Sequence, residues 1–382
     1  IRLLKGGENM RTPMDEETFL EFYKNTMLCG SKNLQNFVCK KLEAEHRITF
    51  DKQMKLDDTS STLYFESKRD FRGIITKTTS SKDFMSFYEA FEFKKLYKYS
   101  VPFFYEIDDD KNIETILKEK AITLFQKENY QPEYIIAGSI QEAEPLVMVE
   151  KENIYVKFVL QKMFVQPETY DQVVYRYPIL VYINSELGML EIRYDSVHYS
   201  YSEQVDREAY YNIVVAIIEW IKDTLGLKLF CCEHADTIHI TNDAQNTEVR
   251  MYKQMMEMKS GGAAELTASE NEDYMLPFIG ELRELIDENE ELFNEADDVK
   301  QLLLQYLNEK EATANYPYIY IKRVKPVENQ SYIVKLTFDY FNGKYTLLQH
   351  ITGNCKDLGM GRMNDAIEYF SRSSSFVKGE KI

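Results

Sequence analysis

A run of three aspartates, Asp108–Asp110, follows a predicted apolar strand, and it is the clearest candidate for chemistry in this 382-residue sequence. Carboxylates that converge on Mg²⁺ or Mn²⁺ serve metal-dependent nucleases and hydrolases, because the ion activates water and stabilises developing charge. Asp108 and Asp110 are therefore candidate catalytic residues, and Glu106 or Glu150 supplies a further carboxylate in this hypothesis. The alternative is a solvated acidic turn, which is the commoner role of such a run.

The tripeptide Glu92-Phe93-Lys94 has an acid and a lysine two residues apart, a spacing that places both side chains on one face of a strand. Both residues, however, fall inside a predicted helix. Glu92 also precedes Asp108, whereas restriction-type nucleases have the aspartate first. Local sequence therefore does not assemble the carboxylates and the lysine that this chemistry needs.

A second group of reactive residue types lies at Cys231, Cys232, His234 and His239. Cysteine and histidine hold zinc when their spacing brings four ligands together tetrahedrally. The spacing here fits no closed site, so no metal site is predicted and the histidines are interpreted as structural. The chain also lacks G-x-x-x-x-G-K-[ST], G-x-G-x-x-G and G-x-S-x-G, so no cofactor or nucleophile motif is predicted.

Basic and aromatic residues share a predicted strand near the C-terminal end of the sequence. They are Tyr316, Tyr318, Tyr320, Lys322, Arg323 and Lys325. Aromatic rings stack on unpaired bases and cations contact phosphates, so this composition is typical of single-strand nucleic-acid binding. Lys322 and Arg323 are candidate binding residues on this hypothesis, and the simpler interpretation is a strand with one solvated face.

Two acidic helices are predicted at about 276–293 and 298–310. Glu288, Glu290 and Glu291 are candidate binding residues for a basic protein partner, because a cluster of like charges attracts the opposite charge. The alternative is a soluble face with no partner. The apolar residues predicted to face inwards are Leu282, Leu285, Ile286, Leu302, Leu303 and Leu307.

The best-patterned elements lie at 178–226 and predict two strands followed by a helix. Apolar and charged residues alternate from Leu190 to Asp195, so one face of that strand is predicted to be buried and the other solvated. Helical spacing follows, and Gly226 marks the helix end. The unbroken apolar run of this helix is far shorter than the roughly 20 residues that a membrane span needs.

Other elements are predicted with weaker patterns. Residues 71–79 and 133–140 predict strands, and residues 112–127 predict an amphipathic helix. The Met-rich segment 247–258 predicts a helix, and 259–273 predicts a loop because small and polar residues dominate it. Asn342-Gly343 is a strong hairpin signal between two predicted strands.

Composition defines the broad class of protein. A hydrophobic content of 44%, with 28 Tyr and 22 Phe, can fill a core and argues against a disordered chain. The net charge of −17 repels nucleic acid and anionic membranes, so nucleic-acid binding requires a local basic patch. Five cysteines without paired spacing and no visible signal peptide predict a cytoplasmic protein with reduced thiols. The Lys- and Ile-rich, Pro-poor composition favours a bacterial or phage source.

These patterns together predict an α+β fold with antiparallel hairpins and helices packed on one side. We expect two domains, with an N-terminal region at 1–170 and a C-terminal region at 173–382 that contains the loop 259–273. The predicted function is a non-catalytic interaction or sensing subunit of a multi-component bacterial system, for which defence against phage is one setting. The alternative is a divalent-metal-dependent nuclease or hydrolase that uses Mg²⁺ or Mn²⁺.

Overall fold

The computed structural model describes residues 13–53, 62–108, 112–166, 169–197, 207–233, 248–257, 262–267, 279–313, 315–327, 330–340, 344–351, 357–372 and 377–382. Its helices are α1 Glu16–Cys29, α2 Lys32–Ala44, α3 Phe71–Thr79, α4 Met85–Lys94, α5 Ile113–Glu119, α6 Arg207–Trp220, α7 Ile279–Glu288, α8 Glu290–Asn294, α9 Asp297–Thr313 and α10 Gly361–Arg372. A π-helical turn, Ile221–Leu225, extends α6, and two short 3₁₀ turns lie at Lys82–Phe84 and Lys127–Asn129. None of the described helices combines the length and the apolar character that crossing a bilayer requires.

The strands are β1 Ile48–Thr49, β2 Leu63–Tyr64, β3 Tyr99–Glu106, β4 Leu146–Glu150, β5 Asn153–Val165, β6 Gln172–Asn184, β7 Met189–Tyr194, β8 Lys228–Glu233, β9 Val249–Glu257, β10 Ala263–Thr267, β11 Tyr318–Val327, β12 Gln330–Asp339, β13 Tyr345–Ile351 and β14 Val377–Lys381. Among the strand pairs whose register is described, the short β1–β2 pair is parallel and the others are antiparallel. The predicted α+β class with antiparallel hairpins is therefore confirmed.

The chain divides into two compact units, and each is assembled from separate segments. Unit 1 consists of Ile1–Tyr99, Tyr105–Leu229 and Gly353–Met360, and unit 2 consists of Ser100–Phe104, Phe230–Thr352 and Gly361–Ile382. The division into domains at 1–170 and 173–382 stays a prediction.

Unit 1 is organised around the antiparallel strands β4–β5–β6–β7. The hairpin of β5 and β6 pairs along the full length of both strands, from Asn153 opposite Asn184 to Val165 opposite Gln172. The turn into β7 ends at Gly188, whose φ of 60° is a conformation that side-chain-bearing residues seldom adopt. The hairpin of β6 and β7 that was predicted from alternating residues is thus confirmed.

Helices cover both faces of this unit 1 sheet. On one face, the Trp220 ring of α6 meets the Phe158 ring of β5 edge-on at 5.0 Å. On the opposite face, Asn25 of α1 donates from Nδ2 to the Val174 carbonyl of β6 at 2.8 Å. A later segment closes the same unit, because the Met360 amide donates to the Lys94 carbonyl at 3.0 Å. The sheet core is therefore shielded from water on its two sides.

The solvated face predicted for β7 is wrong, although the strand itself is confirmed. Glu191 and Arg193 are fully buried. They avoid the full cost of burial because they form an ion pair, with Arg193 Nε donating to Glu191 Oε2 at 2.9 Å. The guanidinium also lies 4.0 Å from the ring centroid of Tyr182, and Nη1 contacts the Met360 sulfur at 3.9 Å. The alternation of apolar and charged residues predicted the strand correctly. The ion pair between Glu191 and Arg193 allows the charged face of the strand to be buried.

Unit 2 contains the antiparallel strands β10–β9–β11–β12–β13, and β14 pairs with β8. On one face of β11 and β12, Ile319, Ile321 and Leu336 are fully buried. The buried residues of helix α10 are Arg362, Met363, Ala366, Ile367 and Phe370. The fully buried apolar residues of β11 and β12 therefore lie on one side of the sheet.

Several local predictions are wrong for identifiable reasons. Residues 71–79 form helix α3 and not a strand, because Asp70 caps the helix by accepting from the Gly73 amide at 2.9 Å, and Ile74 and Ile75 are buried by tertiary packing. The Met-rich segment is strand β9, in which Met251 and Met256 are buried by sheet packing.

Three other predictions also differ from the structure. Helix α5 ends at Glu119, short of the predicted 127, and strand β10 occupies 263–267 within the predicted loop. Residues 133–140 form no strand and contribute one isolated bridge, Ala137 to Leu160. The hairpin signal at Asn342-Gly343 lies outside the described residues.

Candidate functional site

Two of the carboxylates predicted to be catalytic, Asp108 and Glu150, are described, and each lies at the surface beside a different lysine. Asp108 is exposed and its Oδ1 lies 3.5 Å from Lys228 Nζ. Glu150 is exposed and forms an ion pair with Lys94. Asp110 lies outside the described residues. Within the described ranges, no group of three or more His, Cys, Asp or Glu side chains is arranged to hold a metal ion.

The reactive sulfur and histidine residues are likewise dispersed in the part of the chain that can be described. Cys231 donates to the Lys344 carbonyl at 3.0 Å, and Cys232 is buried. His234 and His239 lie outside the described residues. His350 is buried, with Nε2 at 3.5 Å from the Ser100 hydroxyl.

Four charged side chains of unit 1 form a buried group that the sequence did not predict. This buried charge cluster consists of Glu89, Glu92, Lys157 and Arg176, each nearly or fully inaccessible to water. Helix α4 supplies both glutamates, since a separation of three residues puts them on one helical face. Strands β5 and β6 supply Lys157 and Arg176 on the same face of the sheet.

Every charge in the cluster meets an opposite charge. Arg176 donates from Nε to Glu92 Oε1 at 3.4 Å and from Nη2 to Glu92 Oε2 at 2.9 Å, and Nη2 also reaches Glu89 Oε2 at 3.0 Å. Lys157 donates to Glu92 Oε2 at 3.0 Å and to the Glu89 carbonyl at 3.1 Å, and it forms a close ion pair with the Glu89 carboxylate. Two negative and two positive charges thus cancel inside the unit.

Aromatic side chains complete the surroundings of the cluster. The Tyr23 hydroxyl donates to Glu89 Oε2, and the Tyr130 hydroxyl donates to the same oxygen at 3.2 Å. The Arg176 guanidinium lies 3.9 Å from the ring centroid of Tyr23, and Lys157 Nζ lies 4.4 Å from that of Phe93. Cation–π contacts of this kind are strongest where water is excluded.

The pKa shifts of Glu89, Tyr23 and Tyr130 favour a structural role for these groups over a role in acid–base catalysis. Burial by itself would raise the pKa of Glu89, but the positive charges of Lys157 and Arg176 outweigh burial and lower this pKa to about 2. Burial, reinforced by the charge of Glu89, raises the pKa of Tyr23 and Tyr130 above the ordinary tyrosine value. At neutral pH the carboxylate is therefore a weak base and the tyrosines stay protonated, so none of the three is poised to transfer a proton.

A cavity of about 270 Å³ opens beside the cluster in unit 1. Glu89, Lys157 and Arg176 line one part of it, and exposed carboxylates such as Glu142 and Glu144 line another. Lys157 and Arg176, the cationic residues of the lining, are already engaged by the cluster carboxylates.

The helices α7, α8 and α9 of unit 2 form a surface with a different character. On their inner side, Ile286 of α7 and Leu307 of α9 form a buried cluster with Met256 of β9, and partly buried residues pack around these three. Their outer side leaves large apolar side chains in water, and these are Leu285, Leu292, Val299, Leu302 and Tyr306. We call this outer side the acidic helical surface.

Two residues predicted to face inwards belong to this exposed set. Leu285 is 51% exposed and Leu302 is 66% exposed, so their predicted inner positions are wrong. On α9, Val299, Leu302 and Tyr306 recur at helical spacing and share one stripe. The sequence shows that these residues are apolar, but only the packing shows that nothing described covers them.

The predicted acidic binding residues lie on the same surface. Glu288 and Glu291 are exposed, and the exposed Glu290 has Oε1 at 3.6 Å from Lys300 Nζ. Across 279–313 the sequence carries eleven acidic residues against three basic ones. The structure therefore brings exposed apolar residues and the predicted glutamates together on one set of helices.

The two predicted basic binding residues separate onto opposite faces of β11. Arg323 is buried and donates to both carboxylate oxygens of Asp365, from Nε at 2.9 Å and from Nη2 at 3.0 Å. Its Nη1 reaches Glu248 Oε2 at 3.1 Å. Burial would lower the pKa of Arg323, but the bonds and charge of Asp365 outweigh burial and raise it. Lys322 lies on the other face and is partly exposed.

The buried charge cluster could have been suspected from one signal in the sequence. Lys157 and Arg176 are isolated charges inside long apolar stretches that predict strands. A charge in such a position is almost never fully buried without a partner. That reasoning predicts partners for both residues, but the partners lie 65 and 84 residues away in Glu92 and cannot be chosen locally.

Comparison of the sequence with protein-family models finds no matching family, and comparison with curated proteins finds no match.

Proposed function

We propose that this chain is a non-catalytic interaction subunit that binds a basic, amphipathic protein partner through the acidic helical surface. The observation that carries the proposal is the stretch 285–306, which holds five of the nine large hydrophobic residues that are exposed among the described part of the chain. Three of the five, Val299, Leu302 and Tyr306, share one stripe of α9, and apolar residues grouped on a surface mark binding sites more often than scattered ones do.

The chemistry of the partner follows from the composition of the surface. The exposed leucines offer apolar area, and burying one leucine side chain completely contributes about 1.5 to 3 kcal/mol. The acidic residues around them favour lysine- or arginine-rich partners and speed their encounter, an effect that salt weakens. A basic segment with its own apolar stripe satisfies both requirements, and an amphipathic helix in a groove is a common way to present one.

The setting proposed for this activity is a multi-component system in the bacterial cytoplasm, with defence against phage as one example. What supports that setting is compositional, namely the Lys- and Ile-rich sequence and the cysteines without paired spacing. The chemistry around Glu89 agrees with a non-catalytic role for unit 1, because the pKa of Glu89 is lowered by Lys157 and Arg176 and the pKa of Tyr23 is raised by burial, both away from neutrality.

Affinity capture from the native cell extract tests the proposal, with the intact chain as bait and the recovered proteins identified by mass spectrometry. The surface variant carries Leu292→Gln and Leu302→Gln, and a second variant carries Glu288→Lys, Glu290→Lys and Glu291→Lys. We expect one set of basic proteins to be recovered by the original chain at low salt and lost with both variants.

A matched control carries the same change in charge elsewhere, at Glu133→Lys, Glu142→Lys and Glu144→Lys, which are exposed residues of unit 1. This control should still recover the same proteins. The proposal is wrong if the surface variants recover the partner as well as the original chain does, or if no protein is recovered even at low salt.

A further inference from the structure

The polar face of the unit 2 sheet gathers basic and aromatic side chains from three neighbouring strands. Register places Lys253 of β9 and Lys335 of β12 on either side of Tyr320 in β11. Lys322 lies opposite Arg250 in the same way. We call this set the basic tyrosine face, and its members are Arg250, Lys253, Tyr318, Tyr320, Lys322 and Lys335.

This face is open to solvent. Ile319 and Ile321, which alternate with its tyrosines along β11, are fully buried on the opposite side. Arg250 is exposed and the other five members are partly exposed. The side chains of the face are therefore accessible to a ligand while their strands are fixed by pairing on both sides.

The face is locally positive in a chain whose net charge is −17. It carries four cationic side chains. Glu265 of β10 is the acid beside them, and its Oε1 lies 2.6 Å from Lys253 Nζ while its Oε2 accepts from the Tyr318 hydroxyl at 2.6 Å. Arg250 and Lys322 form no ion pair with another described residue. Such a local excess of positive charge is the condition that nucleic-acid binding by this acidic chain requires.

The tyrosine rings and the lysines are interleaved. Lys335 Nζ lies 3.8 Å from the ring centroid of Tyr318 and 5.5 Å from that of Tyr320, and Lys253 Nζ lies 5.6 Å from the Tyr320 centroid. The two rings are 5.9 Å apart and nearly perpendicular. A base that stacks on one ring therefore has ammonium groups within reach of its phosphates.

We propose that the basic tyrosine face binds single-stranded nucleic acid without strong sequence preference. A base stacks on Tyr320, and Arg250, Lys253, Lys322 and Lys335 contact the phosphates on either side of it. Stacking is available only where bases are unpaired, so a single strand is favoured over a duplex. This site is separate from the acidic helical surface and does not depend on the function proposed for that surface.

Fluorescence anisotropy with the full chain tests the proposal, using fluorescein-labelled oligo(dT) and oligo(U) of about 20 nucleotides. We expect saturable binding at about 50 mM KCl that weakens with salt, and four phosphate contacts predict a slope of about −3 in log K against log salt concentration. A duplex of the same length should bind more weakly.

Variants separate stacking from charge. Tyr320→Ala should weaken binding of oligo(dT) by about tenfold or more, while Tyr320→Phe should retain binding, because the ring supplies the stacking surface. Lys322→Gln together with Lys335→Gln removes two phosphate contacts and should reduce the magnitude of the salt slope by about 1.4. Lys118→Gln with Lys120→Gln, two exposed lysines of unit 1, is the matched control and should leave binding unchanged.

Four results would overturn the proposal. These are no saturable binding at low salt, equal binding by the Tyr320→Ala chain, equal affinity for the duplex, and equal losses in the unit 1 control variant. A parallel arm uses vesicles that contain phosphatidylserine. Binding to those vesicles without binding to either oligonucleotide would assign the face to an anionic membrane surface and overturn the nucleic-acid assignment.

Discussion

The buried charge cluster of unit 1 and the helices α7–α9 of unit 2 use charged residues in opposite ways. In unit 1, the four members of the buried charge cluster are removed from water and paired two against two. On α7–α9 of unit 2, an excess of glutamates and aspartates stays at the surface, beside leucines that stay there too. The same residue types therefore have different roles, and burial decides which role each charge has.

The difference follows from the cost of desolvation. A charge moved out of water loses several kcal/mol of hydration, so it tolerates burial only when partners and hydrogen bonds surround it. A charge at the surface loses little, and a surface ion pair contributes about 0 to 1 kcal/mol. We therefore expect changes in the cluster to affect folding and changes on the acidic helical surface to affect binding.

The largest effect is expected for Arg176→Met, which removes one cation and leaves Glu89 and Glu92 facing Lys157 alone. Removing one partner of a buried pair typically costs about 3 to 5 kcal/mol of unfolding free energy. Urea denaturation of the variant and of the original chain measures the loss. The double variant Arg176→Met with Glu92→Gln restores a balanced pair of Glu89 and Lys157, and it should lose less than the two single changes together.

A somewhat smaller effect is expected on acidification. The pKa of Glu89 is lowered from 4.5 to about 2 in the folded chain, so its contribution to stability is present above pH 4.5 and is lost as the pH falls towards 2. The shift corresponds to about 3 kcal/mol at most. Denaturant unfolding at a series of pH values should show a shallower loss for Glu89→Gln than for the original chain. Parallel curves would contradict a special role for Glu89.

The smallest effect on stability is expected for Leu302→Gln on the acidic helical surface. This side chain is 66% exposed, so the change should alter the unfolding free energy by no more than about 0.5 kcal/mol. Thermal denaturation is the measurement. A large loss would mean that Leu302 is covered in the folded protein, and the acidic helical surface would then lack the exposed apolar area on which the proposed binding role depends.

Local sequence patterns predicted those elements that are determined by the types and spacing of neighbouring residues. The hairpin of β6 and β7 was predictable because alternation from Leu190 to Asp195 is a property of neighbouring residues. The solvated face of that strand was predicted wrongly, since Glu191 pairs with Arg193 and both are buried. Alternation gives the two faces of a strand but does not state which of them meets water.

Candidate sites were predictable only in part, for the same reason. The glutamates of α7 and α8 were apparent from the local excess of acid, whereas the exposure of Leu285 and Leu302 depends on how three helices pack. The buried charge cluster joins residues of one helix to residues of two strands far along the chain. Residues 71–79 show a related limit, because tertiary packing and the Asp70 cap outweigh their β-branched character.

The segment that ends at Met360 has a consequence for the order of events on the ribosome. The Met360 amide bonds to the Lys94 carbonyl, and the Met360 sulfur contacts Arg193. Unit 1 therefore remains incomplete until β8 to β13 have been translated. A nascent chain that stalls after β13 would hold the buried Arg193 without that cover. Completion of unit 1 therefore waits until residues 230–352 of unit 2 have been translated.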